Sequence, residues 1–388
     1  MIKKFVVVSL LVLFTNCKHL LAYHHSYVDN SISADSTPST AATYPKFKIG
    51  GVFQARYLYS KKNNVDIDGL QHSTGEFVNN SFDIKRMRVS LNAQLTSKLS
   101  VVTLVNLADF KNDTKTRVLE NAFAQYNLSP YAKLQFGQFR PAFGIEDAHA
   151  VDIIKSIDFS NAYYLMGNNG WQSFQIGAAL SGKVDLGKVP FNYAISITNG
   201  NGKNRTDNNN GKHYATRLWF NLNERKNFTL GTSIGLGKEF GQSIYAYGIE
   251  ATYRLDITNR LCVDLQAEVF QALNQYLYFT TPENQRLGSL DDYEYKGGYI
   301  LPNIRYTIGK TKLQAIEFSM RYEYMNANSK LNANPRQTIT PMISFEFLKD
   351  YGARLQCGVQ IDNYKTNIPN TKTYDANLFF VQVQCRLQ

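Results

Sequence analysis

Residues Arg86 to Leu95 divide into two interleaved sets: Arg86, Arg88, Ser90, Asn92 and Gln94 in one, Met87, Val89, Leu91, Ala93 and Leu95 in the other. A period of two is that of a β-strand. Because the polar set carries two arginines, the strand needs water on one face and an apolar medium on the other. The final residues repeat the pattern, with Phe379, Val381, Val383, Cys385 and Leu387 alternating with Phe380, Gln382, Gln384, Arg386 and Gln388. Leu355, Cys357, Val359 and Ile361 oppose Arg354, Gln356, Gly358 and Gln360; Ile316, Phe318, Met320, Tyr322 and Tyr324 oppose Glu317, Ser319, Arg321 and Glu323. The pattern runs through the chain and confines it to sheets with one polar and one apolar face.

From Lys46 onward such stretches predict about sixteen strands, an even number as single-chain bacterial barrels have. They fall at 46–60, 79–96, 98–109, 116–128, 131–139, 171–182, 189–199 and 212–222, then at 227–237, 242–255, 260–273, 296–308, 313–326, 336–347, 352–362 and 373–387. Short connections such as Ser129-Pro130 and Leu348 to Tyr351 alternate loosely with long polar ones at 61–78, 200–211 and 274–295. The gap from Arg140 to Gly170 differs in kind, since it holds Phe143, Ile145, Val151, Ile153, Ile154, Phe159, Tyr163 and Tyr164. A segment so apolar must pack against something, and in a wide barrel the natural place is the lumen. Tyrosines near strand ends, at 57 and 59, 276 and 278, and 293 and 295, fit aromatic girdles at the two membrane interfaces.

The first 22 residues place Lys3 and Lys4 before the apolar run Phe5 to Phe14 and close on Leu20-Leu21-Ala22, which fits a cleaved secretory signal. The competing reading, lipidation at Cys17, meets Asn16 where a small residue is expected. Removing residues 1–22 takes Lys3, Lys4 and Lys18 and no acid, so the formal charge of +11 falls by three to +8. Residues 23–45, rich in Ser, Thr and Ala, read as a flexible linker, leaving 46–388 as the barrel domain. Outside the signal no apolar run approaches the roughly 20 residues of a spanning helix. Cys262, Cys357 and Cys385 are odd in number, lie within expected strands and lack zinc-site spacing, which argues against a disulfide framework.

Energetics orient the two faces. Arg56, Arg86, Arg88, Arg254, Arg305, Arg321, Arg354 and Arg386 share the polar phase near mid-strand, and each would cost roughly 2–4 kcal/mol facing lipid at the midplane. They must face water. A secreted β-sandwich with its charges outside satisfies the same demand, but the even strand number, the loop alternation and a regular terminal strand favour a closed barrel.

Two stretches resemble the phosphate-selective porins O and P. Phe82-Asp83-Ile84-Lys85-Arg86-Met87-Arg88-Val89 is similar to that family's aromatic-plus-basic second strand. Leu134-Gln135-Phe136-Gly137-Gln138-Phe139-Arg140-Pro141-Ala142-Phe143-Gly144-Ile145-Glu146 is similar to its Gly-Gln-Phe, basic, Pro, Phe-Gly, acid segment. The resemblance implies a trimeric, sixteen-stranded transmembrane antiparallel β-barrel with an inward-folded constriction loop and a cationic lining that handles anions. It makes Arg86 and Arg88 lumen residues and has Arg140, Phe143 and Glu146 begin the constriction loop. Asp264, Glu250, Glu268, Glu317 and Glu323 share the inward phase and dilute an anion-attracting field.

The expectation is an outer-membrane porin for passive diffusion of small hydrophilic solutes, with a preference for anions such as phosphate. Its pore-lining cations are Arg56, Arg86, Arg88, Arg305, Arg321, Arg354 and Arg386, and its partners are outer-membrane lipid, permeating solutes and two further copies of itself. No cofactor, metal or nucleic acid is expected. Gly235 to Gly241 departs from the dinucleotide fingerprint by one residue, and His149 and His213 have no nucleophile motif beside them, so an enzyme is not expected. Two rivals stay open: a plugged barrel acting as adhesin or assembly partner, and a secreted β-sandwich binding module.

Overall fold

The first strand pairs with the last. In this computed structural model, which describes residues 43–111, 118–186, 189–223 and 227–387, β1 (Lys46–Ser60) runs antiparallel to β16 (Ala376–Leu387) from Gly51↔Leu387 to Ser60↔Leu378. Between them follow β2 (Asn80–Gln94), β3 (Leu99–Asn106), β4 (Leu119–Ser129), β5 (Ala132–Phe139), β6 (Gln175–Leu186), β7 (Val189–Thr198) and β8 (His213–Asn221). Then come β9 (Phe228–Glu239), β10 (Gln242–Asp256), β11 (Leu261–Leu273), β12 (Glu294–Lys310), β13 (Leu313–Asn326), β14 (Arg336–Leu348) and β15 (Ala353–Tyr364). Each pairs with its neighbours in sequence, giving one closed sixteen-stranded barrel with no open edge. The expected leader, residues 1–22, and residues 23–42 of the expected linker lie outside the described residues.

Alternation decides what each face meets. Phe82, Phe136 and Ile49 point outward and are 86, 72 and 68 % exposed. Ile249, Val269, Ile304, Phe318, Ile343 and Val383 extend the same apolar exterior. The opposite phase of these strands is buried and polar: Glu250, Glu268, Asn303, Glu317, Arg321, Ser344 and Gln384. An apolar surface of this extent is what lipid solvates.

Connections 95–98, 130–131, 222–227, 257–260, 311–312 and 349–352 are short and share a rim with the start of β1 and the end of β16. At the other rim stand 61–79, 140–174, 199–212, 274–293, 327–335 and 365–375, with Phe240-Gly241 as the short exception.

The structure refines two expectations. β6 starts at Gln175, not at residue 171, because Trp171, Gln172 and Phe174 are buried with the preceding segment. Tyr293 and Tyr295 are not girdle residues: both are buried, and Tyr295 packs inside the barrel in a cluster with Phe143, Met166 and Trp171. Apolar matter within the barrel gives them a drier site than an interface.

A β-bulge sets the phase of β2. Gln54 pairs with Arg86 but Ala55 pairs with Ile84, so Lys85 is the extra residue. Phe82 and Ile84 thus share the outer face with the odd-numbered Met87 and Val89, while Arg86 and Arg88 stay inside. The extra residue also points inward, and its Nζ lies 2.8 Å from Asp158 Oδ2.

Candidate functional site

Residues 140–174, between β5 and β6, reach nearly every other part of the wall. Val151, Ile154, Phe159 and Tyr163 bury against Val52 of β1, and Ile157 packs with Leu58, Met342 and Phe380 of β1, β14 and β16. Ile145 packs on Tyr299 and Leu301 of β12. Phe143, Ala162, Met166 and Trp171 join Ala215, Ala246, Phe270 and Tyr295 of β8, β10, β11 and β12. All these wall residues belong to the buried phase of their strands.

Local chemistry shapes the segment. Ser160 accepts a hydrogen bond from Tyr163 N at 3.0 Å and so caps the helix α1 (Asn161–Asn168). The Glu146 carboxylate accepts from Ser160 N at 2.9 Å and from Ser160 Oγ at 2.5 Å, pinning the start of the segment to that cap. β9 makes room by presenting Gly231, Ser233 and Gly235 inward; a Cβ at Gly235 would stand 2.5 Å from the Trp171 ring. Ser233 Oγ accepts from Gly144 N at 3.0 Å.

Polar anchors complete the seat. Asp158 receives Arg86 Nη2 at 2.6 Å as well as Lys85. Arg321 donates to the carbonyls of Asp158 and Phe159 at 2.6 and 3.1 Å. Arg354 Nη2 donates to Ile154 O at 3.1 Å, and Gln384 Nε2 to Asp152 O at 3.0 Å. Glu323 takes Asn161 N at 2.6 Å, and Glu268 takes Ile145 N at 2.9 Å. Burial would raise Asp158, but Arg86 and Lys85 beside it hold its carboxyl well below the usual range. Burial pushes Glu146 up to about 7 against the pull of Arg321 and Ser160, and pushes Asp147 well above its ordinary value against Arg140.

Every arginine singled out from the sequence for the pore lining stands on its strand's inward phase, and most have carboxylate partners. Arg56 Nε lies 3.2 Å from Asp83, and Arg88 Nη2 donates to Glu120 at 2.7 Å. Arg305 Nη1 bridges Glu317 and Glu346 at 2.9 and 2.7 Å, and Arg321 Nε donates to Glu323 at 2.7 Å. Arg386 Nε lies 2.9 Å from Asp152. Arg354 and Arg140 are the exceptions: among the described residues neither has a carboxylate at ion-pair distance. Arg140 donates to His149 O at 2.8 Å and lies over the Phe159 and Phe174 rings. Phe143 is fully buried beside Trp171.

Sequence reasoning missed several partners. Arg217 of β8 is buried in an ion pair with Glu250, and Arg336 Nη2 meets Asp362 at 2.8 Å. The opposite phase, Tyr214, Thr216 and Leu218, would have placed Arg217 inward. Asp158 carried no such signal, since it lies in a segment with no period.

A closed sixteen-stranded barrel with an apolar exterior, a polar interior and a long segment seated among its inward side chains has the architecture of outer-membrane porins. Residues 48–227 match the family model of the phosphate-selective porins O and P, a span that includes both motif stretches. Over those residues the chain is similar to that family. No curated protein matches the chain. Among solved structures, the outer membrane channel DcaP of Acinetobacter baumannii is 13% identical with a TM-score of 0.55, covering 88% of this chain and 97% of its own. The anion-selective porin from Comamonas acidovorans is 9% identical with a TM-score of 0.54, covering 89% and 100%. A trimer form of OmpT, an outer membrane protein of Vibrio cholerae, is 10% identical with a TM-score of 0.51, covering 89% and 100%. At such identities the likeness is one of fold.

Proposed function

We propose that the protein is a bacterial outer-membrane porin, a passive route for small hydrophilic solutes, in which residues 140–174 form the constriction. One observation carries the reading: a closed barrel whose outer phase is apolar and whose inner phase is polar. The match to the porin O and P family supports it independently.

A preference for anions rests on Arg140 and Arg354, inward cations with no carboxylate at ion-pair distance among the described residues, and on the positive total charge. The paired state of Arg86, Arg88, Arg305 and Arg321 argues for a mild preference rather than a phosphate-specific ladder. Homotrimeric assembly is proposed from the family and from the trimeric form of OmpT. A reversal potential measured across a salt gradient in planar bilayers tests the sign: it should indicate anions moderately favoured, and cation selectivity would remove this part of the reading.

The plugged-barrel rival draws on one observation, that residues 140–174 touch β1, β2 and most strands from β8 to β16. A plug that never yields gives no discrete conductance, whereas a constriction does.

A further inference from the structure

The wall beneath residues 152–159 carries a contiguous strip of hydrogen-bonding groups that no other described residue engages. Pairing register lays them side by side. Asn303 pairs with Ser319 across β12 and β13, Ser344 with Gln356 across β14 and β15, and Gln356 with Gln382 across β15 and β16. Arg354 and Thr340 sit two residues along from Gln356 and Met342 on the same inward phase. Both amide atoms of Asn303, the hydroxyls of Ser319, Thr340 and Ser344, Gln382 Oε1, Glu346 Oε1, and Nε and Nη1 of Arg354 are buried with no hydrogen-bond partner among the described residues. Buried polar atoms are normally satisfied, and an orphan keeps its desolvation cost. So many in one strip point to something that engages them when the cover is away.

The cover is held in a way that suits exchange. Ile157 rests on Leu58, Met342 and Phe380 at the centre of the strip, and the chain on either side is gripped through its carbonyls by Arg321 and Arg354. Its strongest anchor, Asp158 with Lys85 and Arg86, lies across on β2.

We infer that this strip is a recognition site for an uncharged, polyhydroxylated solute, which competes with residues 152–159 for the wall. The inference rests on the channel reading and names its solute class. The orphan set mixes donors (Arg354, Asn303 Nδ2), acceptors (Gln382 Oε1, Asn303 Oδ1, Glu346 Oε1) and hydroxyls that do both. A solute hydroxyl both donates and accepts, so a row of them matches that mixture. Inorganic phosphate, mainly an acceptor, would leave the three acceptor atoms unmatched and face the carboxylates of Glu317 and Glu346.

The test is current block of the full-length protein in planar bilayers, with the neutral trisaccharide raffinose as probe and inorganic phosphate in parallel. Raffinose should interrupt the current in a concentration-dependent way, and phosphate should do so more weakly. Asn303→Ala with Ser344→Ala, which removes no side-chain hydrogen bond among the described residues, should raise the half-blocking concentration about tenfold. Asp158→Asn, which loosens the cover, should lower it. Opposite shifts are expected of competition and not of general damage. Normal ion conductance without raffinose block, an unshifted Asn303→Ala/Ser344→Ala variant, or stronger block by phosphate would overturn the inference and leave the channel reading standing. Absence of any conductance would overturn both.

Discussion

Arg86 Nη2 and Asp158 Oδ1 meet at 2.6 Å across 72 residues of chain, tying the second strand to the long segment between the fifth and sixth. The β-bulge adds Lys85 to the same carboxylate, so one Asp bridges two consecutive cations and the trio keeps a net positive charge. Removing one partner of a buried pair leaves an uncompensated charge and costs about 3–5 kcal/mol. Asp158→Asn should therefore lower the temperature at which the barrel loses its compact gel mobility. In the double variant with Arg86→Gln the loss should be smaller than the sum of the two single losses, as expected for a direct contact. Additive losses would mean that the two side chains act independently.

Charge at the same place governs ions. Arg86→Gln with Arg88→Gln would strip Glu120 of its guanidinium and leave Asp158 with Lys85 alone, removing two positive charges from this part of the lumen. The reversal potential in a salt gradient should move toward cations. An unchanged potential would place both pairs out of the permeating ion's reach.

The seat of residues 140–174 should weaken as pH rises through neutrality. Glu146, whose carboxyl is raised to about 7 by burial, stays protonated between the usual carboxylate value and pH 7, while in the unfolded chain it is ionised. The folded state then binds more protons, so stability from this group is fully present at low pH and lost as pH climbs to about 7, on the order of 3 kcal/mol in all. Asp158 is shifted the opposite way and is ionised throughout that window. Protease cleavage within residues 140–174 should be slower at pH 5 than at pH 8, and Glu146→Gln should flatten the difference. A slope that survives Glu146→Gln would assign it to another group.

Gly235→Leu tests the packing of the segment directly. The Trp171 ring occupies the space a side chain would need, so the variant should push Trp171 from its buried site and shift its fluorescence to the red. Equal emission from both proteins would mean that β9 yields instead.

The barrel was legible because alternation is imposed by two media along every strand. The sixteen expected strands match the sixteen observed, and Arg321, Arg354 and Arg386 fall on the inward phase that their apolar neighbours dictate. What the sequence hid lies in residues 140–174 and their contacts. Asp158 has no periodic neighbours to place it, and its pairing with Arg86 is a long-range contact of an irregular segment. The bulge at Lys85 left a trace, the change from even-numbered Phe82 and Ile84 to odd-numbered Met87 and Val89, which marks a register shift when both sets must face lipid. Pairing of the arginines escaped notice because phase shows which way a side chain points and not which acid it meets.

The central claim is that water and solutes cross this barrel. Single-channel recording of the purified full-length protein in a planar bilayer tests it most directly. Discrete conductance steps, moderately anion-favouring and reduced in anion preference by the Arg86→Gln/Arg88→Gln variant, are the expected result. A correctly folded, heat-modifiable barrel that inserts and yet passes no current would contradict the claim and leave a plugged barrel in its place.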